Sequence, residues 1–176
     1  YVARGSLNVA KKPIIESGVL SPSQLGQIGA ALTFVYAFAK FFNGFLADRS
    51  NIRKFMAMGL IVSATVNFLM GISTLFWMFF LLWALNGWFQ AMGSAPSVVT
   101  LSQWFSLKER GKLYGVWSTS HSIGEGVTSI CTAVVVSYYG WRFGFGAAGA
   151  VCLAMGIALI FMLIDRPQTY GLPSVQ

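Results

Sequence analysis

Four ionisable residues stand inside otherwise apolar stretches of the chain: Arg4, Lys40, His121 and Glu125. A charge near the centre of a bilayer costs roughly 2.5 to 3.5 kcal/mol on insertion scales, so each group needs a partner, a water-filled cavity or a ligand. At the rise of an α-helix, Lys40 lies about 12 Å in from Asp48 and His121 about 13 Å in from Lys112. Arg4 lies about 10 Å from the outer end of its expected helix. Polar groups carried to a similar depth by three helices are how membrane transporters build a site between helices. Internal pairing of Glu125 with Arg4 or Lys40 is one reading. Two cations against one carboxylate leave positive charge over, and a cavity of that kind suits an anion. His121 and Glu125 are four residues apart, hence on one helix face and about 6 Å apart at Cβ, close enough for a hydrogen bond or a proton relay.

The elements that must position these residues follow from the apolar runs. Residues 25–47 carry one charge, Lys40, and residues 55–75 carry none, so both runs can cross a ~30 Å hydrocarbon core as helices. Between them GFLADRSNIRK forms a charged hairpin loop. Residues 1–10 span about 15 Å as a helix, so the first span is expected to be truncated at its start. A polar connection at 11–16 follows, and Ser21-Pro22-Ser23-Gln24 restarts the chain with an N-cap serine, proline at N1 and glutamine at N3. Further spans are expected at 55–73, 75–105, 113–139 and 143–164, with SLKERGK as the loop before the fifth. Gly140-Trp141-Arg142 reads as a tight turn with an interfacial tryptophan. Gly59, Ser63 and Ala64 offer small surfaces for close helix contact.

With 56% hydrophobic and only 10% charged residues, the composition is that of an integral membrane protein. The formal charge of +7 does not indicate nucleic-acid binding, because the basic residues fall in short loops between spans. Cys131 and Cys152 lie in apolar runs without metal-like neighbours and read as small helix-packing residues, so neither a metal nor a cofactor is expected. No signal peptide is visible in YVARGSLNVA. The loops after the second, fourth and sixth spans hold Arg49, Arg53, Lys54, Lys108, Arg110, Lys112 and Arg166. The opposite loops hold Lys11, Lys12 and Arg142, so the more basic side, with the C-terminus, is expected in the cytoplasm.

Several motifs, in order, resemble one family. YVARGSLNVA is similar to a first helix reading Tyr-x-x-Arg-Lys-x-x-Asn-x-Ala, and FAKFFNGFLADRSNIRK to a second-helix lysine followed by Gly-x-x-x-Asp-Arg-Ser-Asn-x-Arg. NGWFQAMG, KERGK, VWSTSHSIGEG and DRPQTYGLP follow in register. The chain therefore resembles the N-terminal half of the major facilitator superfamily, in particular the organophosphate:phosphate antiporters and their hexose-phosphate transporter and sensor branch. The resemblance implies an all-α membrane fold, a six-helix half with 3+3 inverted repeats over residues 1–164. It also implies the start of the central cytoplasmic connection at 165–176 and a C-terminal half absent from this chain.

The resemblance implies exchange of a sugar phosphate or other organophosphate for inorganic phosphate by alternating access, with no covalent chemistry, in a bacterial inner membrane. Arg4 matches the phosphate-binding arginine, Lys40 the second-helix lysine, and Tyr1, Trp117 and His121 cavity positions. Asp48, Arg49 and Arg53 match a cytoplasmic gate loop, where Asp48 and Arg49 would cap helix ends and pair with neighbouring helices. A membrane sensor of hexose phosphate with a signalling partner, and a proton-coupled symporter using His121 and Glu125, are alternatives; an enzyme is not expected, for no nucleophile and base are assembled. Partners implied are the organophosphate, phosphate, membrane lipid and the second half of the transporter. The chain departs from the pattern at Gly5, Val99, Ser122 and Glu125.

Overall fold

The computed structural model describes residues 2–165, 167 and 171, and among them are six α-helices and no strand. In order they are α1 (Val2–Glu16), α2 (Pro22–Arg49), α3 (Ile52–Ile72), α4 (Phe76–Trp104), α5 (Leu107–Tyr139) and α6 (Trp141–Met162). Caps account for the starts of α2, α3 and α5. Ser21 accepts from the Gln24 N–H while the Gln24 side chain accepts from the Ser21 N–H, the expected reciprocal box, with Pro22 at the first helical position. Asn51 caps α3 by accepting from the Lys54 N–H at 3.0 Å.

Four sequence expectations need correction. Residues 11–16 are not a connection: α1 runs through Lys11, Lys12 and Pro13 to Glu16. Proline removes one backbone donor, but Ile14 beyond it is fully buried, and that packing keeps the last turn helical. Arg4 is consequently about 18 Å, not 10 Å, from the end of its helix. SLKERGK is not a loop either, because Ser106 and Glu109 form a second capping box and Lys108, Arg110 and Lys112 lie on the first turns of α5. With 33 residues, α5 is about 50 Å long and protrudes well beyond a bilayer core. Trp141 is no belt residue: it is buried between Phe79 and Phe145, with ring centroids at 6.1 and 6.3 Å. Finally, Cys152 packs with Ala3 and Ala64 as expected, whereas Cys131 is exposed.

Among the described residues α2, α3 and α6 are each long and apolar enough to cross a membrane. Helix α1 is short, α4 is apolar apart from a stripe of polar residues, and α5 is rich in polar residues. Helix α2 lies along α4, α3 along α6, and α1 against both α5 and α6. In lipid, association depends on close van der Waals contact, and Gly87 provides one such place. A Cβ there would stand 2.7 Å from the Leu32 carbonyl oxygen, so only glycine lets α4 approach the α2 backbone this closely. The main apolar core gathers Leu7, Ile28, Val66, Phe79, Trp83 and Phe145 from five helices. At one end, Arg142 Nη1 donates to the Gly71 carbonyl at 2.9 Å and so closes the last turn of α3.

Candidate functional site

Arg4, half-buried on α1, stands at the junction of two cavities. One, of about 210 Å³, is lined by Arg4, Tyr36, Ser63, Phe89, Gln90, Ser94, Ser97 and Trp117, with several small apolar neighbours. The other, of about 420 Å³, follows α1 through Arg4, Leu7, Asn8 and Lys11, faces Gly26, Gly29, Thr33 and Tyr36 of α2, and includes Glu125 of α5. Positions 4, 7, 8 and 11 share one helix face, which is why a single wall collects them.

Tyr36 is common to both cavities. The Arg4 Cζ lies 5.6 Å from its ring centroid and the Lys40 Nζ 4.9 Å, both within cation–π range. The two cations are therefore separated by no more than those two distances laid end to end. Lys40 reaches the ring from one turn along the same helix, and Arg4 reaches it across the α1–α2 gap. Two like charges drawn together over one ring repel each other, and an anion bound between them would relieve that repulsion.

The remaining candidates sit as follows. Lys40 is exposed and reaches the site through Tyr36. Trp117, half-buried, lines the smaller cavity. Glu125, exposed, lines the larger one, and its Oε2 is 4.0 Å from His121 Nδ1, an ion-pair separation longer than a hydrogen bond. His121 lines neither cavity as described and joins the site through Glu125. Tyr1 lies outside the described residues. Gly5 is buried, and a Cβ there would meet Thr128 Cγ2 at 3.2 Å, so the glycine lets α5 come close to α1 beside Arg4. Val99 is half-buried and Ser122 exposed.

Sequence reasoning missed Tyr36, although its spacing of four from Lys40 was a usable signal. It also missed Gln90, Ser94 and Ser97, whose spacing of four and three marks one polar stripe on an otherwise apolar α4. At the far end of the bundle, Asp48 and Arg49 are exposed, and the Arg49 Cζ stands 4.2 Å over the Phe45 ring of its own helix. Arg53 is half-buried. Asp48 and Arg49 belong to α2 and Arg53 to α3, so the charged loop expected there narrows to Ser50 and Asn51, and this turn is tied to α4 by Asp165, which the sequence reading placed in the connection. Its buried carboxylate accepts from the Ile52 N–H at 3.0 Å and from Asn51 Nδ2, while its carbonyl accepts from Trp104 Nε1 at 3.0 Å.

The Major Facilitator Superfamily matches residues 1–175. The chain belongs to this superfamily. Its six helices are a half of that transporter fold in an integral membrane protein. The chain is 42% identical over 175 residues to the membrane sensor protein UhpC of Salmonella typhimurium, covering 99% of this chain and 40% of that protein. It is 40% identical over 176 residues to a probable hexose phosphate transport protein of Chlamydia trachomatis, covering 100% of this chain and 39% of the relative. The glycerol-3-phosphate transporter of Bacillus subtilis is 32% identical over 169 residues, 93% of this chain and 38% of the other. The chain thus spans about two fifths of the length of the superfamily relatives it matches. In fold it is similar to a bacterial homologue of the human lysosomal transporter Spinster, solved inward-facing and unoccupied. The TM-score is 0.77 at 20% identity, over 94% of this chain and 40% of that one.

Proposed function

We propose that the protein binds a phosphorylated small molecule, a hexose phosphate or related organophosphate, and moves it across a membrane in exchange for inorganic phosphate by alternating access. The observation that carries this reading is the convergence of Arg4 and Lys40 on the Tyr36 ring at a cavity junction. A guanidinium fork matches phosphate oxygens in bidentate fashion, and a lysine adds a second, point-like charge. The smaller cavity beside Arg4 offers Gln90, Ser94 and Ser97 for hydroxyl groups and Trp117 as an apolar wall, a lining suited to a sugar. The reading involves binding and movement, with no covalent step. The membrane is a bacterial inner membrane with the Arg49 and Lys108 end in the cytoplasm, as the distribution of basic residues favours. A second six-helix half of the same transporter completes the route.

The test is counterflow. Full-length protein in proteoliposomes loaded with phosphate is expected to take up labelled hexose phosphate in exchange, and binding without counterflow would sink the carrier reading. That second outcome fits a membrane sensor that reports hexose-phosphate occupancy to a signalling partner, which the similarity to a named sensor supports. The His121–Glu125 contact at 4.0 Å favours a third reading, proton-coupled symport. Glu125→Gln separates it from exchange: phosphate exchange that persists in the variant, with an unchanged pH profile, removes the symport reading.

A further inference from the structure

The backbone carbonyl immediately before Arg4 is held by two buried amides. Asn67 Nδ2 of α3 donates to the Ala3 carbonyl oxygen at 3.2 Å, and Asn86 Nδ2 of α4 donates to the same oxygen at 2.9 Å. Asn67 also donates to the Ser63 carbonyl at 2.9 Å, and its Oδ1 accepts from the Ser6 hydroxyl at 3.0 Å. Ser6, Asn67 and Asn86 are each 0% exposed. Three helices are thus tied at one point of α1, and that point is one residue from the guanidinium-bearing position.

Apolar packing alone does not call for this arrangement. Elsewhere α1 is buried through Leu7, Ala10 and Ile14, which need no polar partner. Asn86 Oδ1 has no hydrogen-bond partner among the described residues, so this side chain carries an unsatisfied buried acceptor. An apolar side chain of similar volume would avoid that cost, which points to the donor half of the amide as the part that matters. What the donor fixes is the register of α1. Sliding a helix by one residue moves each side chain about 1.5 Å along the axis and turns it about 100° around it. Bidentate recognition of a phosphate tolerates only a fraction of such a displacement.

We infer that Asn67 and Asn86 are positioning residues that clamp the Ala3 carbonyl and thereby fix the height and rotation at which Arg4 presents its guanidinium. The inference rests on the reading of Arg4 as the anion-binding group, and the clamp acts through Arg4 without touching the ligand. Removing either donor loosens α1 against α3 and α4 and weakens phosphate binding. The loss depends on Arg4 being arginine, because a lysine has no fork to misalign.

The test uses full-length protein in lipid, with inorganic phosphate as the probe. Asn86→Leu and Asn67→Leu are expected to raise the phosphate Kd about tenfold or more in the Arg4 background, and less than twofold when combined with Arg4→Lys. Asn86→Gln, which keeps an amide donor, is expected to recover most of the affinity. Equal losses in both backgrounds would mark the asparagines as ordinary packing residues and overturn the clamp. A second readout needs no ligand and covers a leucine variant that folds poorly. A single thiol at Arg4→Cys, in protein otherwise free of cysteine, is modified with a methanethiosulfonate reagent. Asn86→Gln should leave its rate within twofold and Asn67→Leu or Asn86→Leu should shift it severalfold, while Val66→Ala, a packing control on α3, should not. Rates unmoved by the asparagine changes overturn the proposal. Rates that respond as expected, together with no phosphate binding by the parent protein that keeps Arg4, sustain the clamp and overturn the phosphate reading instead.

Discussion

Helices α1 and α5 both bring ionisable residues to the space around Tyr36, under opposite conditions. On α1, the residues flanking Arg4 are buried: Ala3, Gly5, Ser6, Leu7 and Ala10 all lie in the bundle interior. On α5, only Thr128 and Thr132 of 33 residues are buried, and His121 and Glu125 have side chains 43% and 51% exposed. A charge on the first helix sits where its surroundings fix it, so its geometry can select an anion. A charge on the second lies on an open face of this half, where fewer contacts hold its side chain. Geometry is therefore the business of α1, and adjustable charge the business of α5.

The contrast is most exposed to failure at Arg4. Arg4→Lys keeps the charge and removes the fork, and phosphate affinity in the intact protein is expected to fall by about 1.5 to 3 kcal/mol, the range for hydrogen bonds to charged groups. Calorimetric titration with phosphate checks this, and an unchanged affinity removes Arg4 from the site.

Next in size is Gly5→Leu, which forces bulk into the place where α5 meets α1. A Cβ already stands 3.2 Å from Thr128 Cγ2, so about 1 to 3 kcal/mol of stability should be lost through overpacking. Thermal unfolding in detergent reads it, and a variant as stable as the parent would show that the α1–α5 contact is loose. Tyr36→Leu is expected to weaken phosphate binding by about 0.5 to 1 kcal/mol as the two cations lose their ring, whereas Tyr36→Phe should stay close to the parent. Equal losses in both variants would assign the effect to the hydroxyl. The smallest change is expected on the open helix. His121→Gln should alter unfolding stability by less than about 0.5 kcal/mol, as partly exposed pairs do, and a larger loss would mean that α5 is as tightly held as α1.

Local features were legible in the sequence to the extent that one helix contains them. The Ser21–Gln24 box and the approach of His121 to Glu125 both follow from spacings of three and four on a single helix. The Ser106–Glu109 box was legible on the same grounds but hidden by its charged neighbours, which read as a loop. The C-terminal turn of α1 was less accessible, because Pro13 argues locally for a stop and only the burial of Ile14 overrules it. Trp141 misled for a related reason: tryptophan beside an arginine fits a membrane interface, and nothing short of the α4 and α6 aromatic contacts reveals a core position.

The sequence by itself determined that the chain is a membrane-embedded helical bundle, where most of its helices start, and which ionisable residues the apolar runs have to accommodate. Those properties depend on hydropathy, periodicity and capping, all of which act within a few residues along the chain. Only the tertiary structure decided that Arg4 and Lys40 share Tyr36, that Asp165 ties the α2–α3 turn to α4, and that two asparagines hold the Ala3 carbonyl. Each of these joins residues far apart in the sequence. Their distances are set by how closely the helices pack, and that packing depends on small contact residues such as Gly5 and Gly87 whose partners lie far away in sequence.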